Sequence, residues 1–148
     1  MSKDWLIIFI IIIAIITCLY VVFKPKPSAN ITLEIKDNIF NLEVAKTVQQ
    51  HSLGLMNRQS LCPNCGMIFI FGLELPQTFW MKNTFIPLDI IFLDKKGVVI
   101  NISQGTPKSL EMIPSTRPAQ YVIELNAGTS RQINLQSGDT INLSNLLK

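Results

Sequence analysis

Charge is scarce in this chain of 148 residues: Asp, Glu, Lys and Arg together make up 16% of it. Histidine occurs once, at His51, and cysteine three times. A single histidine excludes the helical zinc-protease motif, which needs two. His51 with Cys62 and Cys65 falls one ligand short of a tetrahedral zinc site. A phosphate-cradling glycine loop and a Ser/His/Asp series are also missing. Enzymatic function therefore has little positive support, and no cofactor is implied. Basic clusters are missing as well. From Ile31 onward ten Lys and Arg face nine Asp and Glu, with no basic run. That balance leaves no electrostatic footprint for nucleic acid. There is no internal repeat, and the length suits one domain rather than two.

Apolar residues are in excess, at 48% of the chain, and they are unevenly spread. Trp5 to Phe23 (WLIIFIIIIAIITCLYVVF) is a run of 19 residues without a charge. As a helix it would span about 28 Å, close to the roughly 30 Å hydrocarbon core of a bilayer. Its Ile and Val residues favour strands in water. In lipid the backbone must satisfy its own hydrogen bonds, and one isolated segment does so only as a helix. Trp5 and Tyr20 lie near its ends, where amphipathic rings prefer the interface. A buried core helix would carry a polar stripe, and this run has none. Lys24-Pro25-Lys26-Pro27 follows in place of a small-x-small cleavage site, and Thr17 precedes Cys18 where a lipoprotein signal has a small residue. The expected organisation is a short tail (1–4), an uncleaved transmembrane helix (5–23), a Pro-containing linker (24–30) and one β domain (31–148). The tail is placed in the cytoplasm, and the domain outside the cell membrane.

Beyond the linker the pattern is that of strands. Ile31 to Lys36 alternates apolar with polar, Asp37-Asn38 is a turn, and Ile39 to Val44 alternates again, which predicts a hairpin. Thr47 is placed to cap a short helix over Val48 to Asn57, with Val48, Leu53 and Met56 on its buried side and Leu55 near the edge. Met67 to Phe71, Phe79 to Lys82, Leu88 to Leu93, Val98 to Ser103, Tyr121 to Leu125 and Thr140 to Leu143 read as further strands. Ala127 to Gln132 suits one helical turn, and 104–118 a long loop. Seven or eight short strands with one or two short helices predict a mainly β domain, a sandwich or barrel.

Two features carry possible chemistry. Cys62-Pro63-Asn64-Cys65 can close a disulfide, bind a soft metal or cycle between oxidation states. A strand follows it rather than a helix, so no helix dipole lowers a thiol pKa. Methionines at 56, 67 and 81 would be needed to complete a copper site. A loop-stapling disulfide, formed in an oxidising compartment, is the reading the pattern favours. The second feature is Phe79-Trp80-Met81-Lys82-Asn83-Thr84. Strand alternation sends Phe79 and Met81 to the core and puts Trp80 and Lys82 together on the other side. Asp89 and Glu124 fall in apolar stretches, where a buried carboxylate needs a partner. Arg58, Trp80, Lys82, Asn83, Asp89, Glu124 and Asn126 are the candidate binding residues. Lys82 is expected to pair with Asp89 or Glu124, and Trp80 to wall a small cleft.

These segments carry a resemblance. Gly54-Leu55-Met56-Asn57-Arg58, Gly66-Met67-Ile68-Phe69-Ile70-Phe71, Phe79-Trp80-Met81-Lys82-Asn83-Thr84 with Ile86-Pro87-Leu88-Asp89-Ile90, and Tyr121-Val122-Ile123-Glu124-Leu125-Asn126-Ala127-Gly128 follow in order. Over about Ile31 to Leu147 the chain resembles the family called domain of unknown function 192, whose members are small β domains, often exported. The resemblance implies a jelly-roll-like sandwich or barrel and supplies no activity. His51 and the Cys pair stand where the family usually has an Arg and an acidic loop. The expectation is a non-catalytic binding or scaffolding module, held to the membrane by its helix, with a small molecule or a glycan as ligand. The alternative is a thiol-disulfide oxidoreductase or soft-metal protein using Cys62 and Cys65.

Overall fold

The computed structural model describes residues 3–22 and 29–146. The first element is the helix α1, Lys3–Val22. Its large side chains from Ile7 to Ile16 are exposed, as is Trp5. Thr17 turns its hydroxyl back to the carbonyls of Ile13 and Ala14 at 2.9 and 3.0 Å. Among the described residues no helix is long and apolar enough to cross a membrane. On α1 the described side chains end at Thr17, so those of Cys18 and Tyr20 lie outside them. So do the first two residues of the expected tail and 23–28, which hold most of the expected linker. Ala29 and Asn30 already belong to the first strand.

The rest is mainly β, as expected. One mixed sheet of six strands runs in the order β1 (Ala29–Ile35), β2 (Asn38–Ala45), β3 (Cys65–Leu75), β8 (Ala119–Asn126), β5 (Leu88–Leu93), β6 (Val99–Gly105). A second sheet holds only β4 (Thr78–Phe79) and β7 (Ile113–Pro114). In place of two comparable sheets facing one another, a single sheet carries a core on each side. Leu42, Ile68, Ile91 and Ile123 belong to one core. Met67, Phe69, Ile90 and Val122 belong to the other. Alternation along β3, β5 and β8 sends successive residues to the two cores. These strands are therefore continuously apolar, while the β1–β2 hairpin alternates with solvent.

The hairpin pairs as predicted, Ile31 against Leu42 and Leu33 against Phe40. β2 and β3 are parallel, so a crossover must join them. It contains α2 (Val48–Leu53) and a loop to Cys65. Thr47 caps α2 in a capping box: its hydroxyl accepts from Gln50 N at 3.2 Å, and Gln50 Oε1 accepts from Thr47 N at 3.1 Å. The helix is shorter than predicted, and none of its residues is buried. Gly54, at φ 48°, ends it, and the chain then turns Leu55 into the core while Val48 and Leu53 stay exposed. β4 is also shorter than the predicted Phe79–Lys82 strand. The predicted closing strand is an isolated bridge between Val98 and Thr140, followed by a 3-10 turn, Ser144–Leu146. α3 (Thr129–Gln132) fills the predicted helical turn.

Candidate functional site

Register places a row of side chains across one face. Glu43 on β2 pairs with Met67 on β3. Met67 pairs with Glu124 on β8, and Glu124 with Ile90 on β5. Paired residues emerge on the same side, so two carboxylates flank Met67. The strands approach closely there because β3 has Gly66 next to the row. A Cβ at that position would meet Leu125 Cδ2 at 2.7 Å and Leu42 Cδ2 at 2.8 Å.

The crossover loop lies over this row. Arg58 forks onto Glu43, with Nη2 donating to Oε2 at 2.7 Å and Nη1 to Oε1, the bidentate arrangement that suits guanidinium and carboxylate. Its hydrogen bond to Glu43 holds Arg58 above its ordinary value, against the effect of burial, and the charges of Glu43 and Glu124 add to this. Glu124 has no such fork. Burial pushes it up to about 8, and the charge of Arg58 pulls it back only in part. The residue is 5% exposed, and its Oε2 has no hydrogen-bond partner.

Glu124 borders a cleft of about 30 Å³ whose walls include His51, Gly54, Phe79, Trp80 and Thr84. That volume holds one or two waters. A side chain at position 54 would close it further: a Cβ would stand 3.4 Å from the Phe69 ring and 3.9 Å from Glu124 Oε2. The His51 Nε2 lies 3.1 Å from the Ala45 carbonyl. A carbonyl only accepts, so Nε2 carries the proton. The His51 ring leans on Phe71 at 4.5 Å between centroids. Trp80 is 41% exposed, and the Lys82 ammonium sits 5.1 Å from its ring centre.

The predicted site residues separate. Trp80 and Glu124 share the cleft, Arg58 acts on Glu124 through space, and Lys82 reaches the cleft only by covering Trp80. The expected pairing of Lys82 with Asp89 or Glu124 is not formed. Lys82 lies in a turn after β4, and Asp89 leaves β5 on the opposite face, beside Leu125 and Gln104 in register. Asp89 is 2% exposed and already partnered, with Oδ1 accepting from Gly128 N at 3.0 Å and Oδ2 from Ser130 N at 2.8 Å. Asn83, at φ 56°, gives its carbonyl to Asn57 N at 2.8 Å. Asn126 donates to the carbonyls of Cys62 and Leu61 at 3.0 and 3.4 Å. Cys62 and Cys65 form a disulfide with Cα atoms 5.1 Å apart, at the point where the crossover loop enters β3. Among the described residues no group of three His, Cys, Asp or Glu is placed to hold a metal ion.

Sequence reasoning missed Glu43, Gly54 and Ser130 as site residues, and considered His51 as a metal ligand and as the residue in place of the family's Arg. Glu43 reads as a solvent-facing residue of an alternating strand, and nothing local announces the loop that covers it. Thr47 did mark where α2 starts, whereas the predicted helix ran past Gly54, where α2 stops.

A small mixed-sheet β domain with an unpaired buried carboxyl under a crossover loop is the class that fold and site define. The chain belongs to the family of uncharacterised ACR proteins, domain of unknown function 192 (DUF192), which matches residues 31–143. A protein of Sinorhizobium meliloti described as a candidate transcription regulator is similar to it. That match has 34% identity and a TM-score of 0.74, and covers 80% of this chain and 97% of the other. A protein of unknown function from Novosphingobium aromaticivorans is similar at 32% identity and a TM-score of 0.70, covering 78% of this chain and 84% of the other. Among curated proteins none matches.

Proposed function

We propose that the protein is a membrane-anchored, extracytoplasmic and non-catalytic binding module whose ligand inserts a small hydrogen-bonding group beside Glu124. The observation that carries this reading is the buried Glu124 Oε2, which has no partner and borders an open cleft. Leaving such a group unpaired costs about 1–3 kcal/mol, and a titratable group perturbed by burial in a cleft marks a functional site. Near neutral pH the carboxyl keeps its proton and offers a donor. Only the tip of a ligand fits in about 30 Å³, so the remainder lies over Trp80. Support for the anchor comes from the sequence, where Trp5 to Phe23 is a run of 19 residues without a charge, and from the described apolar side chains of α1, which are exposed. The Cys62–Cys65 disulfide suits an oxidising compartment. The regulator description of the Sinorhizobium meliloti relative is not carried over, because charges from Ile31 onward nearly balance without a basic stripe.

Full-length protein in lipid nanodiscs, screened by ligand-observed NMR against fragments with amide, hydroxyl or amine tips, tests the site. Hits are expected to weaken at least tenfold in Glu124→Met and Trp80→Ala. Glu124→Met is also expected to unfold at higher temperature than the wild type, since it removes a buried unpaired polar group. A wild type without hits, or hits indifferent to both changes, rejects the site. Alkaline carbonate extraction tests the anchor: the protein is expected to stay with the membrane, and release into the wash rejects anchoring.

A further inference from the structure

On the face of the sheet opposite Glu124, β5, β6 and the segment around α3 line an open pocket of about 390 Å³. That size lies within the range of small-molecule sites. Ile102 and Leu135 give it an apolar wall, and Asp89, Gln104, Ser130 and Arg131 supply polar groups, with two more side-chain amides beside them. Asp89 and Gln104 are cross-strand partners, so the rigid sheet fixes their spacing. Ser130 is 5% exposed, and its Oγ has no hydrogen-bond partner, although its backbone N–H is held by Asp89. A buried hydroxyl in that state lacks one partner that a ligand oxygen can supply.

The wall chemistry restricts the ligand. One carboxylate and one guanidinium line the same cavity, so an anion faces Asp89 and a cation faces Arg131. Each Asp89 oxygen uses one lone pair on a backbone amide and keeps another as acceptor. Arg131 only donates, while the amides and the Ser130 hydroxyl do both. A ligand that only donates or only accepts leaves half of these groups unmatched. Hydroxyl groups do both, and the C–H face of a compact ring suits Ile102 and Leu135. We infer that this cavity is a second binding site, separate from the Glu124 cleft, for a neutral polyhydroxylated ligand the size of one hexose unit.

The test uses full-length protein in lipid nanodiscs without glycoside detergent, which would compete. Saturation-transfer NMR is run with glucose, galactose and their methyl glycosides as neutral probes, and with glucuronate and glucosamine as charged ones. At least one neutral probe is expected to bind saturably in the millimolar range or tighter, ahead of both charged probes. Ser130→Ala and Gln104→Ala are each expected to weaken it about tenfold. Lys95→Ala, in the β5–β6 turn, is expected to leave it unchanged. Ser130→Ala decides between a site and a merely unpaired hydroxyl. The Oγ makes no bond within the protein, so its loss should leave the melting temperature unlowered while binding falls. No saturable neutral probe, a charged probe that binds more tightly, or wild-type binding in both Ser130→Ala and Gln104→Ala overturns the inference.

Discussion

Asp89 and Glu124 stand on adjacent strands, both buried, and the fold treats them in opposite ways. Asp89 meets two backbone amides from the Gly128–Ser130 segment. Its two oxygens fix the start of α3, each taking one backbone amide. Glu124 meets a methionine on one side, an isoleucine on the other, and a guanidinium already engaged by Glu43. The difference teaches where to look for function in a small β domain. A buried carboxylate held by backbone amides is a strut even where its remaining lone pairs face a pocket, whereas one that the backbone leaves unpartnered contributes nothing to the frame and keeps more of its capacity for something outside the chain.

The largest expected effect is a pH dependence that belongs to Glu124. Its proton is held up to about 8 in the folded chain, against 4.5 without the burial. Below 4.5 both states are protonated, and the group does not affect stability. As pH rises from there the unfolded chain gives up the proton and the folded chain keeps it, so stability falls until about 8, where the full penalty stands. The loss is on the order of 3–5 kcal/mol. Urea unfolding at several pH values across that window should show it, and Glu124→Gln should remove most of the slope. A slope equal in wild type and variant would erase the contrast between the two carboxylates.

Next in size is Asp89→Ala, expected to lower stability by about 3 kcal/mol because two amides lose a charged acceptor. Denaturant unfolding at neutral pH measures it, and a loss under about 1 kcal/mol would mean that Asp89 is no strut. Arg58→Met should cost only about 1 kcal/mol, since its ion pair is roughly a third exposed. It should also push Glu124 further up, because the Arg58 charge lowers it. Carboxyl-carbon NMR titration reads that shift, and its absence would uncouple Arg58 from the cleft. The smallest effect is expected for Asn126→Ala. Stability should change by under about 1 kcal/mol, with faster amide exchange confined to the disulfide loop it braces.

Much of the sheet was legible in the sequence. The β1–β2 hairpin shows strict alternation, and β5 and β8 are apolar runs too short for helices. What alternation does not reveal is partners distant in the chain. The sequence showed that Asp89 needed a partner but pointed to cations, because side-chain charge is visible in a sequence and a backbone amide some forty residues away is not. α2 was located by its cap, but its burial was misassigned, since a six-residue helix followed by a left-handed glycine buries the residue after the glycine. Trp80 and Lys82 do lie together. The strand invoked to explain that ends at Phe79, and the cation–ring contact brings them together instead.

Strand order has a consequence for synthesis. β8, at the centre of the sheet between β3 and β5, is the last of the eight strands to be made. Until residue 126 is available, the apolar edge of β3 and the edge of β5 both lack their neighbour. A chain stopped short of that point presents two open edges that invite pairing with other copies. The sheet therefore closes in one late step, and truncations should differ sharply: those ending before residue 126 aggregate, and those that keep β8 together with the segment through Leu143, which packs on the core, keep the sheet intact.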